Sequence, residues 1–437
     1  MSLQAWTPFY WEQDRYGMLV PLLATPLRQP LVNLLAQEGL TIFAGLSCFF
    51  LLARYVVADR RWPLVGAAGA ASFVLLASPR YQFTLLSTAQ PLGVSLAFGL
   101  VALLIVRPLA TPHALARLAL ATALVTVAAW VNVVIGVVLL ALVVLRRLLL
   151  DTPGLEATIA VVIASALGRL FMVLAPHRPT PLQLLSPGET LAGIGRLGRS
   201  FWSTLAAPAW PAVLVLAAAA GAVALLVRQD GRDEVVRPAA VLGTSAAVYL
   251  LFVASQTWTA MNGFGPSYSL PVVVLLQAAP VIVAVTPVAR RLERTGRWTL
   301  GYGAAAASLF LAVAVAYGAP SLDGVRAQLA RTIGSRTVDV VEARVTHVHG
   351  DYWEVWPTVF HANLVLRERG SSHEVWGVAY RSEPTWRRWR EMPADTMRVA
   401  VPRGEREAAR WTSPLPPLVE VERRPSITVW RPVSATR

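Results

Sequence analysis

Ten apolar windows of helical length fill residues 39–318 and constrain this chain more than any other feature. They fall at about 39–58, 63–79, 85–106, 114–130, 132–150, 155–175, 209–227, 238–256, 267–289 and 299–318. A run of roughly 20 apolar residues, rising 1.5 Å per residue as a helix, matches the roughly 30 Å hydrocarbon layer of a bilayer. The windows also explain a composition that is 55% hydrophobic and only 15% charged over 437 residues, too apolar for a soluble domain of this size. The expected fold is therefore a polytopic α-helical membrane protein of about ten spans. Two of the windows meet at Trp130-Val131-Asn132 with almost no polar break.

The arginines orient these spans. The chain contains no lysine, so all 39 basic residues are Arg and the formal charge is +14. A P-loop lysine, a Schiff-base lysine and a Ser-Lys dyad are excluded together, since each needs a primary amine. The single cysteine, Cys48, rules out an intrachain disulfide and a cysteine metal cluster. Arg54, Arg60, Arg61, Arg107, Arg117, Arg146, Arg147, Arg228, Arg232, Arg237, Arg290, Arg291, Arg294 and Arg297 all fall at alternate loops. Cytoplasmic loops carry such an excess. Arg15, Arg28, Arg80, Arg178, Arg196 and Arg199 fall on the other side, which is then the outside. Topology absorbs most of the basic excess, so nucleic acid is not an expected partner. The expected location is the plasma (inner) membrane, multi-pass, with both ends of the chain outside. No basic n-region, apolar core and small-residue cleavage site open the sequence, so a signal peptide is not expected in it. Either the short N-terminal stretch is translocated directly, or a further span precedes Met1.

Three regions follow. Residues 1–38 read as an outward-facing loop with interfacial helices, broken by Pro8, Pro21, Pro26 and Pro30 and bearing a leucine face. Residues 39–318 form the transmembrane helical domain. Residues 319–437 hold 14 of the 25 acidic residues and read as a small extracytoplasmic α/β domain. Alternation predicts strands at 338–348, 375–380, 397–401, 418–422 and 427–430, and periodicity predicts helices at 322–333, 355–369 and 405–411.

No span carries an acidic residue near its middle, which counts against an ion-coupled transporter. Polar groups collect instead at the outer ends. Glu12, Asp14 and Arg15 precede the first window, within Trp11-Glu12-Gln13-Asp14-Arg15-Tyr16-Gly17. Arg80, Tyr81, Gln82 and Gln90 follow the second, His177 and Arg178 the sixth, and Trp258, Asn262 and Tyr268 the eighth. Arg169 is the deepest charge, either snorkelling or clamping a lipid-linked phosphate. A carboxylate beside arginines and aromatic rings can deprotonate a hydroxyl acceptor while the arginines hold a departing phosphate and the rings stack on a sugar. The plainer alternative is an interfacial loop in which Asp14 and Arg15 pair or cap a helix.

An outward acidic motif, amphipathic helices after it, about ten spans and an external α/β domain together resemble the GT-C class of membrane glycosyltransferases. The resemblance implies a polyprenyl-phosphate sugar as donor, a lipid, glycan or protein acceptor, and a first-loop carboxylate as base. Asp14 matches that base, with Glu12 its alternative. Arg15, Arg80, Tyr81, Gln90, Arg169, Arg178, Asn262 and Tyr268 are the accompanying substrate-binding candidates. The chain departs from the class in lacking a cytoplasmic-start span ahead of the motif and in reading Glu-Gln-Asp where the acidic pair is usually adjacent.

His347-Val348-His349-Gly350-Asp351-Tyr352-Trp353-Glu354-Val355-Trp356-Pro357 superficially resembles, in altered order, the Trp-Trp-Asp-Tyr-Gly stretch of oligosaccharyltransferases, which are also GT-C. That adds Asp351 and Trp353 as glycan contacts, the alternative being the core of the small domain or its seat on the membrane. His347 and His349 share one strand face, with His361 and His373 farther on, but the spacing is not that of a zinc site. No cofactor or divalent metal is indicated. The Trp386-Arg387-Arg388-Trp389-Arg390 run suits anionic lipid heads or a solvated helix face. Two rival functions remain: a transporter or flippase of lipid-linked sugars, and a non-catalytic anchor presenting the external domain.

Overall fold

A computed structural model describes Phe9 and residues 17–57, 60–87, 91–106, 108–150, 152, 154–171, 183–205, 233–318, 321–379, 396–403 and 418–433. The chain divides into two compact units. The first comprises most of the chain to Gly318, and the second holds Ala319–Arg437 with Phe9 and the short stretch Leu27–Asn33.

The first unit is a helical bundle. Helices α1 (Leu19–Ala24), α2 (Pro30–Val56), α3 (Trp62–Leu76), α4 (Pro79–Leu86), α5 (Leu92–Ile105), α6 (Ala114–Val131), α7 (Ile135–Leu150) and α8 (Leu155–Phe171) come first. After them come α9 (Pro187–Leu205), α10 (Asp233–Ala254), α11 (Thr257–Met261), a 3-10 turn (Pro266–Ser269), α12 (Leu270–Arg294) and α13 (Trp298–Tyr317). Among the described residues, five helices are long and apolar enough to cross a membrane, and α3 and α5 are shorter apolar helices. The window at 209–227 lies outside the described residues.

Proline and asparagine set the breaks. The expected span at 85–106 is two pieces: α4 ends at Leu86 and α5 starts at Leu92 after Pro91. Proline has no N–H for the helix ladder, and it pushes the residue before it to extended backbone. The same effect at Pro79 ends α3 early, with Ser78 extended at ψ 152°. The near-continuous pair at Trp130–Asn132 is divided because Asn132 is extended (φ −156°, ψ 106°) and its side chain accepts the Val134 amide at 3.3 Å. One N-terminal expectation is corrected. The piece beginning at Pro30 is not a separate interfacial helix but the first turns of α2, since no proline interrupts residues 31–56.

Small residues let the helices close up. A Cβ on Gly99 would meet Leu139 at 2.5 Å, one on Gly136 would meet Ser165 Oγ at 2.4 Å, and one on Gly168 would meet Ala129 Cβ at 2.4 Å. Such close approach of backbones is how helices associate where water supplies no hydrophobic drive. Gln277, fully buried on α12, donates to Ser72 Oγ on α3 at 2.9 Å.

Contacts at the helix ends sort the bundle into two faces. At one end Arg61 and Arg290 meet Glu234 at 3.3 and 2.6 Å, and the Tyr302 hydroxyl donates to the Arg60 carbonyl at 2.8 Å. The Arg146 guanidinium lies 4.5 Å from the Tyr55 ring centre at the same end. Among the described residues, the opposite end carries fewer charges, Arg80, Glu189, Arg196 and Arg199 among them, beside aromatic and hydroxyl groups.

Among its described residues the second unit has a five-stranded sheet with two helices, α14 (Leu322–Glu342) and α15 (Tyr352–Glu368). Strands β1 (His347–Gly350), β2 (Trp376–Ala379), β3 (Val399–Pro402), β4 (Leu418–Arg423) and β5 (Ile427–Pro432) lie in the order β2-β1-β3-β5-β4. β1 is parallel to β2 and β3, while β5 runs antiparallel to β3 and β4. β1, α15 and β2 thus make a βαβ unit. Its core joins Val340, Val345, Val348, Val355, Val359, Leu366, Val375, Ile427 and Val429. The strand expected at 338–348 is corrected: α14 continues through Glu342, and only His347–Gly350 pairs. Asp339 explains why, because its carboxylate accepts the Ser426 amide at 2.8 Å and hydroxyl at 2.6 Å from helical backbone. The helix expected at 405–411 lies outside the described residues.

Candidate functional site

The low-charge end of the bundle gathers α4, α9, α11, the 3-10 turn and the start of α12. Tyr81, on α4, is fully buried, and its hydroxyl sits 2.7 Å from Ser269 Oγ at the end of the 3-10 turn. Burial raises its phenol above the ordinary range, with the Ser269 hydrogen bond acting the other way, so the hydroxyl stays protonated. Arg80 beside it is exposed. The Gln82 side chain donates to the Val74 and Ala77 carbonyls left open by the end of α3, at 2.9 and 2.7 Å, and accepts the Tyr317 hydroxyl at 2.8 Å.

Across from α4, Trp258 and Tyr268 meet edge to face, with ring centres 4.7 Å apart. The Asn262 side chain donates to the Trp258 carbonyl at 2.6 Å, closing the turn that leads into Gly263 and Phe264, both at positive φ. Arg196 of α9 lies over the Phe264 ring at 5.8 Å. Gly193 permits this docking, because a Cβ there would meet the Ala254 carbonyl at 2.8 Å and Phe264 at 2.9 Å. Beneath these rings, Gln256 and Thr259 are buried, and their Oε1 and Oγ1 atoms have no hydrogen-bond partner among the described residues.

α9 itself starts on a reciprocal cap. Ser186 Oγ and N donate to Glu189 Oε2 at 2.7 and 2.9 Å, and the Glu189 amide donates back to Ser186 Oγ at 3.3 Å. Those hydrogen bonds hold the Glu189 carboxyl below its usual range. Leu191 and Trp202 are exposed on this amphipathic helix.

The acidic run is reached through its flanks. Glu12, Asp14 and Arg15 lie outside the described residues, as do Gln90, His177, Arg178 and the 386–390 run. Phe9 is 1% exposed. Gly17 donates its amide to the Trp130 and Val131 carbonyls at 3.1 and 3.3 Å, at the break between α6 and α7. Gly168 packs on Ala129 one residue away, which brings Arg169, partly buried, to the same helix crossing.

Asp351 belongs to the second unit, where it holds the N-cap position of α15: its carbonyl accepts the Glu354 and Val355 amides at 3.1 and 2.9 Å. Trp353 lies in the first turn of that helix. The neighbouring Trp356 ring packs on β2, where a Cβ on Gly377 would come within 2.6 Å of it. The histidines go to separate partners. His361 Nδ1 is 2.8 Å from Thr337 Oγ1, His373 Nε2 2.8 Å from the Val345 carbonyl, and His347 Nδ1 3.0 Å from Thr346 Oγ1. Among the described residues, no group of three His, Cys, Asp or Glu side chains is arranged to hold a metal ion.

Of the residues expected at the outer face, Arg80, Tyr81, Asn262, Tyr268 and Trp258 come to one end of the bundle. Ser269, Gln256 and Thr259 are not among those expected there, and α9 is not among the expected helices. The Ser186-Pro187-Gly188-Glu189 capping pattern was the available signal for α9.

The fold defines a mostly helical chain, with five helices among the described residues long and apolar enough to cross a bilayer, and a small mixed sheet. Comparison with protein-family models, with curated proteins and with solved structures gives no match.

Proposed function

We propose that this chain is a membrane glycosyltransferase of the GT-C type. It moves a sugar from a polyprenyl-phosphate donor to a lipid, glycan or protein acceptor at the outer face of the plasma membrane. The observation that carries this reading is the low-charge end of the bundle. Tyr81, Ser269, Trp258, Tyr268 and exposed Arg80 collect there, opposite the end where Arg61 and Arg290 converge on Glu234. The positive-inside rule makes the arginine-rich end cytoplasmic and the aromatic end external.

In the reaction, the acceptor hydroxyl oxygen attacks the anomeric carbon and the bond from that carbon to the phosphate oxygen breaks. Asp14 takes the hydroxyl proton, with Glu12 as its alternative. Arg80 and Arg169, with Arg15 and Arg178, offset the charge left on the polyprenyl phosphate. Tyr268, backed by buried Trp258, offers a ring for a sugar, and Asn262 and Gln90 offer amides.

The test is the full chain in proteoliposomes with a labelled polyprenyl-phosphate sugar and added acceptor lipid. Label in a covalent acceptor product supports the reading. Movement of intact donor between leaflets without a covalent product would overturn it in favour of a flippase.

A further inference from the structure

A cavity of about 490 Å³ opens at the arginine-rich end, where α2, α5 and α7 finish and α8 begins. Its wall includes Arg54, Tyr55, Arg146, Thr152 and Glu156. That volume lies within the range of small-molecule sites, roughly 300–1,000 Å³.

The charges in this wall are unequal. Among the described residues two guanidinium groups and one carboxylate line the wall, and Glu156 already accepts the Leu109 amide at 3.1 Å while sitting in the first turn of α8, whose dipole favours an anion. Three helix C-termini end nearby, and their carbonyls are natural acceptors for arginine. Arg146 nevertheless leaves its Nε without a hydrogen-bond partner among the described residues. The guanidinium is held against the Tyr55 ring, 4.5 Å from its centre, so its direction is fixed. Arg146 and Arg54 both line this polar cavity, and a pair of guanidinium groups is matched by the oxygens of a phosphate.

We infer that this cavity binds a phosphate group, with Arg146 and Arg54 as its ligands. The phosphate comes either from an anionic lipid headgroup or from a soluble phosphate compound. The site stands apart from the proposed catalysis, at the other end of the bundle.

Two arms separate the sources. In the first, native mass spectrometry follows the full chain released from nanodiscs of phosphatidylglycerol and phosphatidylcholine. In the second, Tm of the delipidated full chain in neutral detergent is followed as inorganic phosphate is added. Each is run on wild type, Arg146→Gln, Arg54→Gln and Arg291→Gln, the last an exposed arginine of the same end outside the cavity. Loss of one retained phosphatidylglycerol in the first two variants only identifies a lipid headgroup. A phosphate-dependent rise in Tm, absent from those two variants only, identifies a soluble phosphate. If Arg146→Gln fails to fold, Arg54→Gln decides alone, since Arg54 is exposed. No response in either arm, or an equal loss in Arg291→Gln, overturns the proposal.

Discussion

Gly17 lies directly under the indole of Trp130: a Cβ at Gly17 would come 2.7 Å from the ring, and its amide reaches the Trp130 carbonyl at 3.1 Å. Only a residue without a side chain fits there. This pins the chain three residues after Asp14 to the low-charge end of the bundle. Gly17→Ala must push the ring aside, and we expect a loss of about 1–3 kcal/mol from overpacking. Thermal unfolding of the full chain measures it. Combining it with Trp130→Leu should recover much of the loss, whereas strictly additive losses would show that the ring is not the obstacle.

The Tyr81 hydroxyl and Ser269 Oγ form a buried pair 2.7 Å apart. Tyr81→Phe leaves Ser269 without that partner and should cost about 1–2 kcal/mol. Ser269→Ala should cost a similar amount, and the double variant little more than either alone. A double-mutant cycle on Tm that came out additive would mean the two hydroxyls do not depend on each other.

Gln277 and Ser72 join α12 to α3 inside the bundle. Interhelical hydrogen bonds of this kind are worth roughly 0.6 kcal/mol, since the unfolded helices in a bilayer find other partners. Gln277→Leu should therefore change stability by less than about 1 kcal/mol. An effect several times larger would place Gln277 in a wider polar network.

His349 sets a pH dependence in the second unit. Its unperturbed imidazole titrates near 6.5, and burial pushes it down to about 4 in the folded chain. Above pH 6.5 both states are neutral and stability is full. As pH falls from 6.5 toward 4, the unfolded chain takes up a proton that the folded chain refuses, so stability drops by roughly 3 kcal/mol in all. Burial depresses His361 in the same direction. Amide hydrogen exchange at Val348 and Ala400, corrected for intrinsic rates, should speed up between pH 7 and pH 5. His349→Gln should flatten that change, and an unaltered pH response would assign it elsewhere.

The helical architecture was legible because apolar length is a strong signal: eight of the ten windows each overlap one described helix and a ninth is split before Pro91, while five described helices are long and apolar enough to cross a bilayer. The breaks at Pro91 and Asn132 were harder, since one residue's backbone angle decides them. α9 escaped because Gly188, Gly193, Gly195 and Gly198 lower helix propensity, although Ser186 and Glu189 marked its start. In the second unit, Val338–Val341 alternate like a strand, yet Asp339 caps the turn before β5 and keeps them helical. Tyr81 was readable as an outer polar residue. Its partner Ser269, 188 positions away, depends on how α4 meets α12, which no local pattern encodes.

The central claim is that Asp14 takes the acceptor's proton. The most direct measurement is the rate of sugar transfer by purified Asp14→Asn in proteoliposomes, at saturating labelled polyprenyl-phosphate sugar, beside Glu12→Gln and wild type. General-base catalysis predicts a fall in kcat of about 10²–10⁴-fold for Asp14→Asn with donor KM little changed, and a much smaller effect for Glu12→Gln. Transfer at the wild-type rate by Asp14→Asn would contradict the account.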